Sequence, residues 1–406
     1  MKPLQLQANL FWVGALDPNL RVFDIIMKTE FGTTYNAYLL KGSEKTVLFE
    51  TVKSQFMEAF FVNLSSLTDI ADIDYLVVNH TEPDHAGCIE HLLDLNPKLQ
   101  IVGTASGINF LKQIVNRSFL AKTIKDNDVI SLGNKTLRFF PLPNLHWPDT
   151  MFTYIEEDQT LVTCDAFGAH YCFDQILLSK ITDQTDYQTA LKFYFQMIMY
   201  PFRHPFVTNA LKRIEKLPIK LILTGHGPVL DINIASIIDQ YQKWCLDQNP
   251  FTKPSVVIAY VSAYGYTKAL AEAIAKGVLA SGNLDVRVFD LGETALDIVL
   301  KESEYCDGIL LGTPTMVGEA LKPIWDLTSS MVATVHGKKP GGAFGSYGWS
   351  GEGVLHILER MRQLNMQVDT GLRIRFKPTP DDLKNAYEYG FNFGCVVQKI
   401  DNPHKI

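Results

Sequence analysis

The apolar run Tyr75-Leu76-Val77-Val78 leads straight into Asn79-His80-Thr81-Glu82-Pro83-Asp84-His85. A short apolar run of this kind reads as a buried strand. Four side chains able to bind a metal follow it within six residues, and Pro83 stiffens the turn between Glu82 and Asp84. Such an arrangement needs a strand whose loop presents side chains into a cleft. Further along come His146 in Leu145-His146-Trp147-Pro148-Asp149, Asp165 after Val162-Thr163-Cys164, and His226 after Leu223-Thr224-Gly225. A single His or Asp at a strand end is ordinarily a cap or a turn residue; seven residues of ligand type in loops after strands form a constellation. Imidazole suits Zn, Fe, Cu or Ni, and carboxylates add a hard-oxygen preference. Four His and three carboxylates can hold two ions, with one carboxylate bridging. No thiolate belongs to the set, since Cys88 and Cys164 are only neighbours. Non-haem iron fits this donor set better than structural zinc, although Zn or Mn is compatible with the ligand types.

The chain has 406 residues, which at roughly 150 per domain predicts two to three domains. The polar, two-proline stretch Asp247-Gln248-Asn249-Pro250-Phe251-Thr252-Lys253-Pro254 marks the boundary, so residues 1–250 and 254–406 form separate domains. Before it, strand-like runs at Asn36–Leu40, Thr46–Phe49, Tyr75–Val78, Thr136–Phe140, Leu161–Thr163 and Leu221–Leu223 predominate. Helical patterns at Phe56–Leu67, Ile89–Leu95 and Gly107–Val115 intervene. After it, strands are expected at Ser255–Val261, Leu284–Phe289, Asp307–Gly312 and Lys339–Gly345. Helices are expected at Thr267–Ala280, Lys322–Ala333, Gly353–Leu364 and Asp381–Val397. Five βα units of that spacing predict a doubly wound parallel sheet.

In the second half, Ser262-Ala263-Tyr264-Gly265-Tyr266-Thr267 lies between a strand and a helix. Backbone N–H groups of a tight turn, Ser and Thr hydroxyls and a helix N-terminus together make a phosphate site. Two later loops, Thr313-Pro314-Thr315-Met316-Val317-Gly318 and Ser346-Tyr347-Gly348-Trp349-Ser350-Gly351, also follow strands. In an open α/β sheet all three belong at the carboxyl end, where ligands bind. Tyr347 and Trp349 can flank a flat ring, and Met316-Val317-Gly318 offers it apolar or backbone contacts. No GxGxxG follows a strand, so a dinucleotide site is not expected.

The pattern His80-x-Glu82-x-Asp84-His85 with His146, Asp165 and His226 resembles the metallo-β-lactamase fold in its di-iron form. Hydrolytic zinc members of that superfamily carry His at the position of Glu82; the carboxylate adds charge and biases the sites towards iron. Together with Gly32-Thr33-Thr34-Tyr35-Asn36-Ala37-Tyr38-Leu39, His146-Trp147-Pro148-Asp149 and the flavodoxin-like loops, the chain resembles the flavodiiron proteins, or A-type flavoproteins. The resemblance implies an α/β chain: an N-terminal metallo-β-lactamase-like αββα sandwich, then a flavodoxin-like domain binding FMN. It further implies a cytoplasmic reductase that passes electrons from FMN to two non-haem irons and reduces O2 to water and/or NO to N2O. His80, Glu82, His146 and Asp165 would hold one iron, and Asp84, His85, Asp165 and His226 the other, with Asp165 bridging. The adjacency of Asp84 and His85 makes their simultaneous binding geometrically demanding. The family also implies a head-to-tail homodimer or dimer of dimers. The rival class is a zinc-dependent hydrolase fused to a flavodoxin-like module.

The net charge of −7 argues against nucleic-acid binding. No apolar run approaches the roughly 20 residues that span a bilayer, and Met1–Asn9 shows no signal peptide, so no membrane association is expected. The six cysteines form no CxxC pair, which predicts free thiols and no fused rubredoxin. A separate electron donor, such as a rubredoxin or a flavin reductase, is therefore expected. No catalytic residue is assigned beyond the metal set. His170 is a candidate proton donor to the metal pocket. His91 and the aromatic stretch Phe193-Tyr194-Phe195 with Tyr200 read as packing, with Tyr194 the member to inspect. His204, His336, His356 and His404 join no constellation, and Cys306 reads as core.

Overall fold

The computed structural model describes residues 2–24, 27–246 and 249–400. The chain divides into two compact units, Met1–Leu246 and Asp247–Ile406. Within the expected linker, Asp247 and Gln248 lie outside the described residues.

Alternation along the strands builds the first unit. Leu40, Val47, Val77 and Val102 share a buried cluster with Leu137, Phe139, Met151, Val162 and Leu223, so one face of each of two sheets packs against the other. Their neighbours Leu39, Leu48, Leu76 and Ile101 point the opposite way and join a second cluster with Phe60, Leu64, Ile89, Leu92 and Leu111. The period-two switch of faces puts helices outside and sheets inside, the αββα sandwich. One sheet has seven strands, in the order Leu4–Gln7, Leu10–Trp12, Tyr38–Lys41, Thr46–Phe49, Tyr75–Val77, Gln100–Gly103, Leu120–Thr123. The other has five: Val129–Ser131, Thr136–Pro141, Met151–Ile155, Thr160–Cys164, Leu221–Thr224. The strand expected at Asn36–Leu40 begins two residues later, at Tyr38. A separate strand, Thr33–Tyr35, precedes the strand Tyr38–Lys41. Between them the Asn36 amide is tied to the carbonyls of Thr224 and Gly227 and accepts the Trp12 indole N–H.

The second unit is one mainly parallel sheet with helices packed on it. Its main strands lie in the order Asp285–Asp290, Ser255–Tyr260, Gly308–Gly312, Pro340–Tyr347, Leu372–Arg375. In chain order that is 2-1-3-4-5, the flavodoxin arrangement, with its switch point between the first and third strands. The fifth strand, Leu372–Arg375, and the helix Leu296–Tyr305 complete the five βα units; neither was read from the sequence. The helix expected over Lys322–Ala333 stops at Ser330, and a separate turn of helix follows at Ala333–His336. The six cysteines are free, five of them buried and Cys172 half-buried. No helix among the described residues is long and apolar enough to cross a membrane.

Candidate metal centre and flavin pocket

The strand Tyr75–Val77 delivers His80 to the end of its sheet, fully buried. Pro83 then opens a single helical turn, Pro83–Ala86, as its first residue, where its fixed φ suits a helix start. That turn places Asp84 and His85 side by side, both buried. Asp165 follows the strand Thr160–Cys164, and His226 follows Leu221–Thr224 in the neighbouring strand.

Their donor atoms form two groups. His80 Nε2 and His146 Nε2 each lie 3.1 Å from Glu82 Oε2, and 3.4 and 3.2 Å from Asp165 Oδ2. On the other side, His85 Nε2 lies 3.1 Å and His226 Nε2 3.5 Å from Asp165 Oδ1. His226 Nε2 is also 3.1 Å from Asp84 Oδ2, and His85 Nε2 is 3.6 Å from Asp84 Oδ1. One oxygen of Asp165 thus faces each pair of imidazoles. The structure therefore brings all seven sequence-derived residues together. Cys164 approaches too, its Sγ within 4.8 Å of donor atoms of His85 and Asp165.

The donor set fits two cations. Spacings of 3.1–3.6 Å suit donors roughly 2.1 Å from a shared centre. Both oxygens of Asp84 and Oδ2 of Asp165 are buried without a hydrogen-bond partner, a cost that a cation removes. Protons crowd the same space. Burial pulls His146 down, yet Asp165 and Glu82 hold it up at about 9. His85 is likewise held at about 9 by Asp84 and Asp165 against its burial. Burial raises Asp165, but the surrounding imidazoles, His85 and His146 foremost, keep it well below the usual carboxylate range.

A further layer orients these groups. The Asp149 carboxylate accepts the Thr81 N–H at 2.7 Å and the Thr81 hydroxyl at 2.8 Å, and it faces His80 Nδ1 at 3.4 Å. His226 Nδ1 donates to the Thr34 carbonyl at 2.7 Å, which turns Nε2 towards the centre. The Tyr194 hydroxyl donates to Asp165 Oδ1 at 3.0 Å. Tyr194 is therefore part of the centre rather than mere packing, while Phe195 does pack, on Tyr241 and Trp244. His170 stacks behind His226 with ring centroids 5.2 Å apart. It lines a separate cavity with Lys28, Glu30 and Phe193, not the one that reaches the ligands. Burial and His226 push His170 well below the ordinary imidazole range, so it is neutral rather than a protonated donor.

A cavity of about 180 Å³ opens onto Glu82, His146, Asp165 and His226. Its other walls are Phe23, Asp24, Met27, Tyr194, Met197, Ile198 and Phe202, none of them singled out by sequence except Tyr194. His91 packs edge-on against Phe61, and His356 pairs with Glu319 at 2.6 Å on the surface. His336 is buried against the Ser303 hydroxyl, and Cys306 is core. His404 lies outside the described residues.

In the second unit the three loops meet around a cavity of about 400 Å³. Tyr264, Tyr266, Pro314, Thr315, Met316, Val317, Gly318, Ser346, Tyr347, Gly348, Trp349 and Ser350 line it, joined by Phe376. Phe376 follows the strand that was not read, which is why it was missed. Ser262, Ala263, Gly265, Thr267, Thr313 and Gly351 do not line this cavity. Several of them shape the loops instead. Gly265 holds φ +80° at the N-terminus of the helix Tyr266–Ala280, with open space where a Cβ would stand. The Thr267 and Ser346 hydroxyls are 3.2 Å apart, and Thr313 Oγ1 accepts the Leu321 N–H. A helix N-terminus beside a wide pocket with aromatic walls suits a phosphate and a flat ring.

A di-metal centre in an αββα sandwich, joined to a flavodoxin-like unit with such a pocket, defines a flavin- and metal-dependent oxidoreductase. Residues 33–227 match the family described as ODP family beta lactamase, and residues 258–390 match Flavodoxin. The flavo-diiron protein FprA2 of Clostridium acetobutylicum is 39% identical over 403 residues, covering 98% of this chain and 100% of that protein. A protein of Moorella thermoacetica named nitric oxide reductase is 34% identical over 400 residues, covering 96% and 97%. The flavodiiron protein of Giardia intestinalis superposes with a TM-score of 0.64 at 25% identity, over 98% of this chain and 97% of that one. The chain belongs to the flavodiiron proteins.

Proposed function

We propose that this protein uses electrons from FMN to reduce O2 to water and/or NO to N2O at two non-haem irons. The observation that carries this reading is the Asp165 carboxylate, one oxygen towards His80 and His146, the other towards His85 and His226. The name of the Moorella relative supports the NO branch.

In this reading His80, Glu82, His146 and Asp165 hold one iron, and Asp84, His85, Asp165 and His226 the other. When bound, two ferrous ions would supply one electron apiece and FMN would replenish them singly. The chain's own part is enclosure and orientation. Phe23, Met27, Met197, Ile198 and Phe202 give the cavity above the centre a largely apolar wall, so a small uncharged gas finds room there beside the ligands. Tyr194 anchors the bridging carboxylate by its hydroxyl. In the second unit, Ser262–Thr267 would receive the FMN phosphate, with Tyr347, Trp349 and Phe376 around the ring. The iron-binding domain is the unit Met1–Leu246 and the FMN-binding domain the unit Asp247–Ile406, a few residues earlier than the expected break at 250–254. We assign the protein to the cytoplasm, as a head-to-tail homodimer or dimer of dimers served by a separate rubredoxin or flavin reductase.

The test is metal analysis of the purified protein, then anaerobic reduction and stopped-flow reoxidation by O2 and by NO. Two irons and rapid reoxidation by at least one gas are expected. Two zincs with no gas consumption would refute the reading in favour of a hydrolase.

A further inference from the structure

Glu50 is a buried carboxyl that the centre described above leaves unused. It ends the strand Thr46–Phe49 and is 1% exposed. Its φ of +57° is a left-handed conformation that a non-glycine side chain resists, and such strain gathers at functional positions. Oε1 accepts the N–H of Asn79, the residue before His80, at 2.8 Å. Oε2 is buried without a partner.

His85 presents the matching want. Its Nε2 faces Asp165 and Asp84, so Nδ1, on the far side of the ring, points away from the ligand set. Nδ1 too is buried without a partner. The two residues are held close, because Thr51, next to Glu50, donates both its N–H and its hydroxyl to the His85 carbonyl at 2.7 and 2.8 Å. Burial pushes the Glu50 carboxyl up to about 7, and His85 is the strongest influence opposing that rise. Two other imidazoles of the set already have an oxygen at Nδ1: Thr34 for His226 and Asp149 for His80. A metal-binding imidazole ordinarily gives its second N–H to such an acceptor, which fixes tautomer and orientation.

We infer that Glu50 is the positioning residue of His85: Oε2 accepts the Nδ1–H through one bridging water and holds the Nε2 lone pair on the second metal. The inference rests on the two-metal reading of the centre. It makes His85, the ligand whose adjacency to Asp84 is most demanding, depend on a carboxyl that touches no ion.

The experiment uses the full-length protein loaded with Co2+, as wild type, Glu50→Gln and Glu50→Leu. In Glu50→Gln one of the two carboxylate oxygens becomes an NH2 that cannot accept a hydrogen bond, so the side chain no longer offers an acceptor both to the Asn79 N–H and towards His85 Nδ1. Chelator competition should therefore show the second Co2+ bound about 10- to 100-fold more weakly in Glu50→Gln, with the first bound as in wild type. Glu50→Leu should weaken the second at least as far. In the 1H NMR spectrum of the Co2+ protein, one hyperfine-shifted, solvent-exchangeable imidazole N–H should shift or vanish in both variants. Wild-type affinity at both sites with an unchanged N–H spectrum would overturn the inference. Equal weakening of both sites would also overturn it, since that would give Glu50 only a strand-building role through Asn79. A wild-type protein that binds fewer than two Co2+ would instead refute the two-metal reading itself.

Discussion

Metal binding to this protein should be steeply pH-dependent. His85 and His146 are each held at about 9 by the carboxylates around them. A metal needs the bare Nε2 lone pair, so each imidazole must lose its proton before it can bind. At neutral pH that displacement spans about two pH units per group, or about 3 kcal/mol each at roughly 1.4 kcal/mol per unit. The sign is fixed by the direction of the shift. Below about 9 the metal-free imidazoles hold protons that the metal-bound ones do not, so affinity falls as pH falls. The combined constant for two ions should rise by at least about two logarithmic units per pH unit from near neutrality up to about 9. His80, held well above its ordinary value by Asp149 and Glu82 against its burial, adds to that slope. The assay is Zn2+ titration of the metal-free protein against a chelator of known pH dependence. Calorimetry in buffers of different ionisation enthalpy then counts the protons released. A slope below one, or fewer than about one proton released near pH 7, would show that the carboxylates do not hold these imidazoles as argued.

Other outcomes follow from the same geometry. Asp165→Ala removes the one group that faces all four imidazoles; it should abolish binding of both metals and gas reduction but leave the flavin spectrum intact, because the flavin loops lie in the other unit. Gly225→Ala would set a Cβ 2.8 Å from His85 Cε1 and 3.1 Å from the Cys164 backbone; a loss of about 1–3 kcal/mol in denaturant unfolding and a weaker second metal site are expected. Trp349→Ala and Phe376→Ala strip aromatic walls from the flavin pocket and should each raise the FMN dissociation constant, read by flavin fluorescence, without changing metal content. NADH alone should be oxidised slowly by the pure protein; rapid oxidation with no added carrier would contradict the absence of a dinucleotide fingerprint and of CxxC motifs.

The seven metal residues were legible because four crowd one loop after an apolar strand and the others also sit in loops of the sheet framework. The groups around them were not. Tyr194 stands between Phe193 and Phe195 in an apolar run, and only its place where the helix Thr185–Tyr194 passes into the π-turn Phe195–Met199 turns its hydroxyl onto Asp165. Met197, Ile198 and Phe202 wall the cavity from irregular helical backbone, where neither a 3.6 nor a two-residue period applies. Glu50 follows the strand Thr46–Phe49, and its burial is a property of the packed sandwich. The strands and helices expected from the sequence fell within a few residues of their bounds, but the helices Thr185–Tyr194 and Leu296–Tyr305 and the strand Met151–Ile155 were not among them. Leu372–Arg375 (LRIR) and Leu4–Gln7 (LQLQ) interleave polar residues and are little buried, so they lack the continuous apolar run that marks Tyr75–Val77 and Thr46–Phe49.

The ligands are drawn from both sheets of the sandwich. His80, Glu82, Asp84 and His85 follow a strand of the seven-stranded sheet, while His146, Asp165 and His226 hang from the five-stranded one. Bound ions would thus work as a clasp across one rim of the sandwich. Stripping them should let that rim splay while the apolar filling between the sheets holds the rest. Amide hydrogens at the ends of Tyr75–Val77, Thr160–Cys164 and Leu221–Thr224 would then exchange first, long before the molecule unfolds as a whole.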